Sequence, residues 1–474
     1  MPTPTINYAD VQGTILRGYR VNLARHFILQ ITDAAAAGTF IGNLVDGAGG
    51  LPAVTTAAPW TTKPACMVNI SFTYAGLQAL GVAKTDLDTF DPDFQVGATA
   101  PATANTVGDV GQSAPSNWIG GLSNGANVHV VLNLWVVSDP QVLESVSAQL
   151  RAAFAAGMTE LSSFDANAFP DNYIHFGYHD NIAQPTIDGA PPRKHDRPDD
   201  QPVVATGEFL LGYPNESGGI YSVSPPDLSQ NSSYAAFRIL SQDVAGFETF
   251  LNTYAPKAGI DPEMLAAKVC GRWRNGNPLE LSPTSPLPLL PDDQLNNFTY
   301  VSTDASTDDT LGFKCPIGAH IRRNNPRNEG VVGTDSMHHR IVRRAMPYGP
   351  RYDAANPDDT PRGLIGYFIN ASIHNQFQFL EGQWDQTSDF VKSATGPGGS
   401  TEGNAVFNIS GQDVFLGVND PSDSSFTLPE PGANGKNNIN LTGWSRMITT
   451  VGAAYCFLPS ITGLRYLATL PSPS

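Results

Sequence analysis

A chain of 474 residues with 41% hydrophobic content is long enough to bury a sizeable core and to hold more than one domain. Charged residues make up only 15%, and 45 Gly with 38 Pro indicate a loop-rich globule. The formal net charge of −17 excludes a general nucleic-acid binder, whose surface must neutralise phosphates.

The N-terminal stretch MPTPTINYADVQGTIL has neither the basic segment nor the apolar core of a secretory leader. No run approaches the ~18 apolar residues that a membrane span requires. The expected location is cytoplasmic, or secreted if a leader has been removed, with no membrane partner. Cys66, Cys270, Cys315 and Cys456 are scattered without a CxxC pair, which predicts reduced, buried thiols.

In chain order, Gly13 to Tyr19 (GTILRGY) precedes a strand pattern, His26 to Ile31, and then a helix-forming AAAAGTFIGNLV. Phe90 to Ser116 lacks periodicity and is predicted as a surface loop. His129 to Val137 (HVVLNLWVV) is a β run. Asp139-Pro140 then opens a helix with Val142, Val146, Leu150 and Ala153 on its apolar face. Arg193 to Gln201 (RKHDRPDDQ) reads as an exposed crossing between halves. Beyond it the order restarts: GEFLLGY (Gly207 to Tyr213), a strand at Tyr234 to Leu240, then VAGFETFLNTYA. Asp261-Pro262 caps another helix that Gly271 closes, and Met447 to Leu458 is a strand interrupted at Gly452. The expected fold is α+β, built from two similar sheet-and-helix halves, residues 1–200 and 201–474.

Chemistry-bearing residues concentrate late in the chain. From His320 to Arg351 there are seven of the 19 Arg, against only Glu329 and Asp335. Such a cluster suits a carboxylate or phosphate group, or simply pairs with the acidic half. His320, in CPIGAHIRRNNPR, stands just before it. Zinc would need further ligands at short spacing, whereas one His suffices for a five-coordinate haem. Asp180 lies in a Gly- and Pro-bounded turn, IHFGYHDNIAQP.

Taken in order, FGYHDNIAQP, KVCGRWRNGNPL, CPIGAHIRRNNPR, IVRRAMPYGP, FLEGQW and AAYCFLPS resemble the dye-decolourising peroxidase family over nearly the whole chain. The resemblance implies two ferredoxin-like domains of the dimeric α+β barrel type, with haem b held in the C-terminal one. It makes His320 the iron ligand and Asp180 the distal acid/base. Arg343 becomes the electrostatic stabiliser, with the adjacent Arg344 as its rival. Asp413 in GQDVFLG matches the acid behind the histidine, and Arg322 or Arg327 a propionate partner. Tyr348 and Trp384 match positions where radicals reach bulky donors. Two departures stand out: Asn181 replaces a glycine after Asp180, and Gly366 stands where relatives place a Phe, which implies extra room. The implied substrates are hydrogen peroxide and one-electron donors such as dyes or phenols. A carboxylate that must be ionised yet reprotonated implies an acidic optimum. Alternatives at this level are a haem carrier or iron-releasing protein on the same fold, or an anion-binding module without haem.

Overall fold

The computed structural model describes residues 5–191, 201–327, 335–387, 410–431 and 437–471. The first half runs β1 (Leu23–Ile31), α1 (Ala34–Asp46), β2 (Cys66–Phe72), β3 (Val130–Val136), α2 (Pro140–Phe154) and β4 (Met158–Asn167). These strands lie in the order β4-β1-β3-β2. The second half contributes β5 (Ser233–Gln242), α3 (Val244–Ala258), α4 (Pro262–Cys270), β6 (Val342–Tyr348), β7 (Gly363–Asn370) and β8 (Ile448–Leu458). Its order is β8-β5-β7-β6, so both halves follow the same 4-1-3-2 ferredoxin-like arrangement.

The repetition extends to local chemistry. Asp33 accepts from Ala36 N ahead of α1, and Asp243 accepts from Gly246 N ahead of α3. Each helix stops at a left-handed glycine, Gly47 or Gly259. The two sheets join through the pair Phe72↔Phe457 of β2 and β8, giving one eight-stranded antiparallel sheet. It curls until β4 and β6 run alongside each other, but no hydrogen-bonded pairing of the two closes a barrel among the described residues.

Strand alternation divides the second-half sheet into two faces. Tyr367 of β7 points inward, where its hydroxyl meets Ser71 Oγ and Asn133 Nδ2, both at 2.8 Å. Its neighbours Gly366 and Phe368 are aligned with Arg238 and Ala236 of β5, and with Ala345 and Arg343 of β6, on the outer face. That outer face is where the second-half helices and loops pack.

Two expectations change. The 90–116 stretch is no simple surface loop: prolines open short helices at Pro92–Val96 and Pro101–Thr106. Phe90 and Phe94 pack on Tyr234 and Phe457, and Asp109 forms a buried ion pair with Arg238. In α2 the buried stripe is Leu143, Ser147, Leu150 and Phe154, with Val142, Val146 and Ala153 at its margin. The crossing at Arg193 to Gln201 lies, apart from Gln201, outside the described residues. Gly452 does mark an irregularity: the β8 register shifts there, where a side chain would collide with Leu122.

Candidate active site

His320 opens a five-residue helix, α5 (His320–Asn324), held down by its own arginines. Arg322 is 1% exposed and binds Asp309 Oδ2 at 3.0 Å and Cys315 O at 2.7 Å. Arg323 donates to Gly411 O and to Thr387 O. With the helix fixed, Nδ1 of His320 lies 3.1 Å from Oδ2 of Asp413. The other carboxylate oxygen of Asp413 accepts from Phe415 N and Leu416 N, both at 2.9 Å. Burial pushes the Asp413 carboxyl up, but His320, Arg323 and these N–H groups outweigh it and hold it below the ordinary carboxylate range. An ionised acceptor behind Nδ1 fixes the imidazole tautomer and leaves Nε2 without a partner among the described residues.

Two further acids sit beside this pair. Asp385 Oδ1 accepts from Asn324 Nδ2 at 3.0 Å, while Oδ2 is buried without a partner. Burial, then Asp413 and Glu381, raise its carboxyl well above the ordinary range, which favours the protonated form. His320, Asp385 and Asp413 bring one possible ligand atom each within 4.8 Å of one another. With His320 Nδ1 engaged by Asp413 and Asp385 Oδ1 engaged by Asn324, that set supports the histidine.

Burial raises Glu381 from 4.5 to about 7, beside a water-sized cavity that it shares with Asp109, Arg238 and Arg446. Between those values the folded chain keeps a proton that the unfolded chain releases, so this group's contribution to stability falls as pH rises. Glu381→Gln should match wild type in Tm near pH 4.5 and exceed it increasingly toward pH 8. A constant Tm difference across that range would show that Glu381 does not titrate with folding.

The segment around Asp180 docks from the first half. Tyr178 Oη donates to Ala266 O of α4 at 2.8 Å, and His179 N donates to Arg274 O. Asp180 N is held by Asn172 O, and the half-buried Asp180 carboxylate accepts no hydrogen bond among the described residues. Asn181 has φ +63, the left-handed conformation that asparagine tolerates next best to glycine. The departure from glycine therefore preserves the turn. Phe176 of this segment stacks on Phe415 at 5.5 Å, and Phe415 meets the His320 ring edge-on at 5.5 Å.

Arg343 and Arg344 face opposite sides of β6. Arg343 Nη2 donates to Ala183 O at 2.7 Å, on the Asp180 segment. Gln184 clamps the Arg343 backbone, accepting from its N and donating to its O. Arg344 turns inward, and its Nε donates to Thr14 O at 2.8 Å. His320, Asp180 and Arg343 are thus brought to one region, and Arg344 is directed away from it.

Other expected residues are placed elsewhere. Arg322 is enclosed by Asp309 and lies over Tyr300, so it is a structural ion pair and not a propionate partner. Arg327 binds Asn296 and Phe298 carbonyls and covers the Phe298 ring at 3.7 Å. Trp384 is 2% exposed, which removes it from contact with a bulky donor. Tyr348 is half-buried, and burial pushes its hydroxyl up to about 12, with a Ser241 hydrogen bond acting the other way. Gly366 does not open space: a Cβ there would lie 2.1 Å from Arg344 O, so close strand packing takes up that volume. Gln184, Asn324, Asp385 and Glu381 were not singled out by sequence. Only the quoted segments HDNIAQP, HIRRNNPR and FLEGQW carried a trace of three of them.

A family model described as the DyP dimeric alpha+beta barrel domain matches residues 10–170. Dye-decolorizing peroxidase msp1 of Mycetinis scorodonius is 30% identical over 490 residues, covering 97% of this chain and 87% of that protein. Multifunctional dye peroxidase DyP2 of an Amycolatopsis species is 28% identical over 485 residues, covering 97% and 95%. The crystal structure of a decolorizing peroxidase from Auricularia auricula-judae superposes with a TM-score of 0.78 at 26% identity, covering 98% of this chain and all of the other. The chain belongs to the dye-decolourising peroxidase family, and it is a peroxidase, an oxidoreductase that uses peroxide to oxidise a donor.

Proposed function

We propose that this chain binds haem b through His320 Nε2 and reduces hydrogen peroxide with Asp180 as the proton carrier and Arg343 as the electrostatic stabiliser. The observation that carries the reading is the His320–Asp413 pair, an imidazole oriented by a buried carboxylate with its outer nitrogen unengaged among the described residues. One histidine so prepared fits a five-coordinate haem. Bound haem would supply the iron that splits the peroxide O–O bond and holds the two oxidising equivalents until donors return the electrons singly.

The protein's own work is proton and charge management. Asp180 accepts the proton of the near peroxide oxygen and returns it to the far one, which leaves as water. With no hydrogen bond to it among the described residues, the carboxylate is free for both tasks. Arg343 keeps its proton throughout, so it stabilises negative charge as peroxide ionises. Asp413 makes the His320 ring more electron-rich. Donors too large for the peroxide side give single electrons through Tyr348, at the far end of the strand that carries Arg343.

Exchanging the two adjacent arginines tests the arrangement. Arg343→Leu should lower kcat/KM for peroxide ~10²–10³-fold, the scale of a lost electrostatic stabiliser. Arg344→Leu should lower Tm, because Thr14 O and Ile15 O lose their donor, while kcat/KM changes by less than about threefold. The reverse pattern would move the stabilising role to Arg344.

A further inference from the structure

At the far end of β6 the sheet borders an open cleft of about 470 Å³ that no part of the peroxide chemistry uses. Tyr348 and Tyr352 supply aromatic wall, and Ile119, 48% exposed, supplies part of the apolar surface together with Val244 and Val451. Arg343 and Tyr348 are five residues apart and so face opposite sides of the sheet, about 17 Å along the strand. A molecule in this cleft is therefore separated from the peroxide side by the strand itself.

The charge of the cleft is specific. Asp243, Asp358 and Asp359 line it, against one cation, Arg362. That guanidinium is already engaged: it pairs with Asp358, its Nε donates to Pro350 O at 3.2 Å, and it lies 5.3 Å from the Tyr352 ring centre. Asp243 caps α3, but Asp359 is exposed and accepts no hydrogen bond among the described residues. The volume exceeds what a simple phenol fills and falls within the range of small-molecule sites, about 300–1,000 Å³. Flat apolar walls with a net excess of carboxylates select a flat ring system that carries positive charge.

We propose that this cleft binds bulky cationic aromatic donors and holds them against Tyr348. The choice of donor class rests on the reading above that Tyr348 passes electrons, but binding itself does not.

Equilibrium titration of the resting holoenzyme with methylene blue, without peroxide and at low ionic strength, separates the two. Low salt matters because exposed charges are otherwise screened. The cationic dye should bind one to one, and the anionic dye methyl orange at least about tenfold more weakly. Asp359→Asn should weaken methylene blue about threefold, and Ala245→Arg, at an exposed cleft position, about tenfold. Asp423→Asn, an equal charge change at an exposed residue outside the cleft, should leave affinity unchanged. Equal binding of methyl orange, no loss in Ala245→Arg, or an equal loss in Asp423→Asn would overturn the site. Under turnover, Tyr348→Phe should slow methylene blue oxidation. If dye binding follows the expected pattern while that oxidation is unchanged, the cleft stands and the relay reading fails.

Discussion

Asp180→Asn should slow the reaction of the enzyme with peroxide by ~10²–10⁴-fold, the range lost when a positioned acid/base is removed. The substitution is nearly isosteric, so the effect isolates the proton carrier from the shape of the pocket. The local fold gives it little reason to move. The turn is fixed by backbone bonds to Asn172 and Arg274, by Tyr178 on Ala266, and by the left-handed Asn181, none of which involves the Asp180 carboxylate. Haem content and the Soret band should therefore match wild type while the peroxide-dependent spectral change slows. Stopped-flow mixing with peroxide measures this directly. A rate within about threefold of wild type would place the proton carrier elsewhere, because an amide cannot accept the peroxide proton.

The fold was legible where backbone periodicity and capping are local. The restart at Gly207 foretold a second copy of the strand and helix order, and the matching 4-1-3-2 arrangements of the two sheets agree with it. Asp139, Asp261 and Gly271 cap helices where spacing put them. Long-range packing was not legible in the same way. Nothing near Asp109 announces a buried partner 129 residues away, and the short proline-opened helices around it are too brief for a periodic signal. The site followed the same division. His320 and Asp180 stand in segments whose residues identify them, and Asp413, 93 residues from His320, was reached through the family resemblance. The arginine cluster misled in part. Arg322 and Arg327 looked available for an anion because a sequence does not show that Asp309 and the 296–298 carbonyls already take their protons. Gly366 misled for a related reason: a missing side chain reads as space, whereas here neighbouring backbone closes in.

His320→Ala should yield a protein that no longer retains haem through purification, and haem added back should give no wild-type Soret band. Among the described residues His320 Nε2 has no hydrogen-bond partner, and the two acids packed beside the ring are poor replacements. Burial and its acidic neighbours favour the protonated form of Asp385, and Asp413 lies behind the ring. Loss of fold is a separate outcome that the structure allows to be distinguished. Helix α5 is anchored by Arg322 on Asp309 and by Arg323 on Gly411, and alanine favours the helix. The substitution does leave Asp413 Oδ2 buried beside an empty position, which costs stability. Asp413→Asn supplies the comparison, since its side chain keeps an oxygen for the Phe415 and Leu416 N–H groups and its removed charge is no longer stranded. That variant should keep haem but lose ~10–100-fold in cofactor affinity or activity, the usual effect of altering a ligand's outer partner. Haem retention by gel filtration and absorbance, with far-ultraviolet circular dichroism on the same samples, reads both effects. Wild-type absorbance in a folded His320→Ala protein would show that the iron is held from another residue. The Asp413–His320 pair would then be a structural contact rather than the basis of the site.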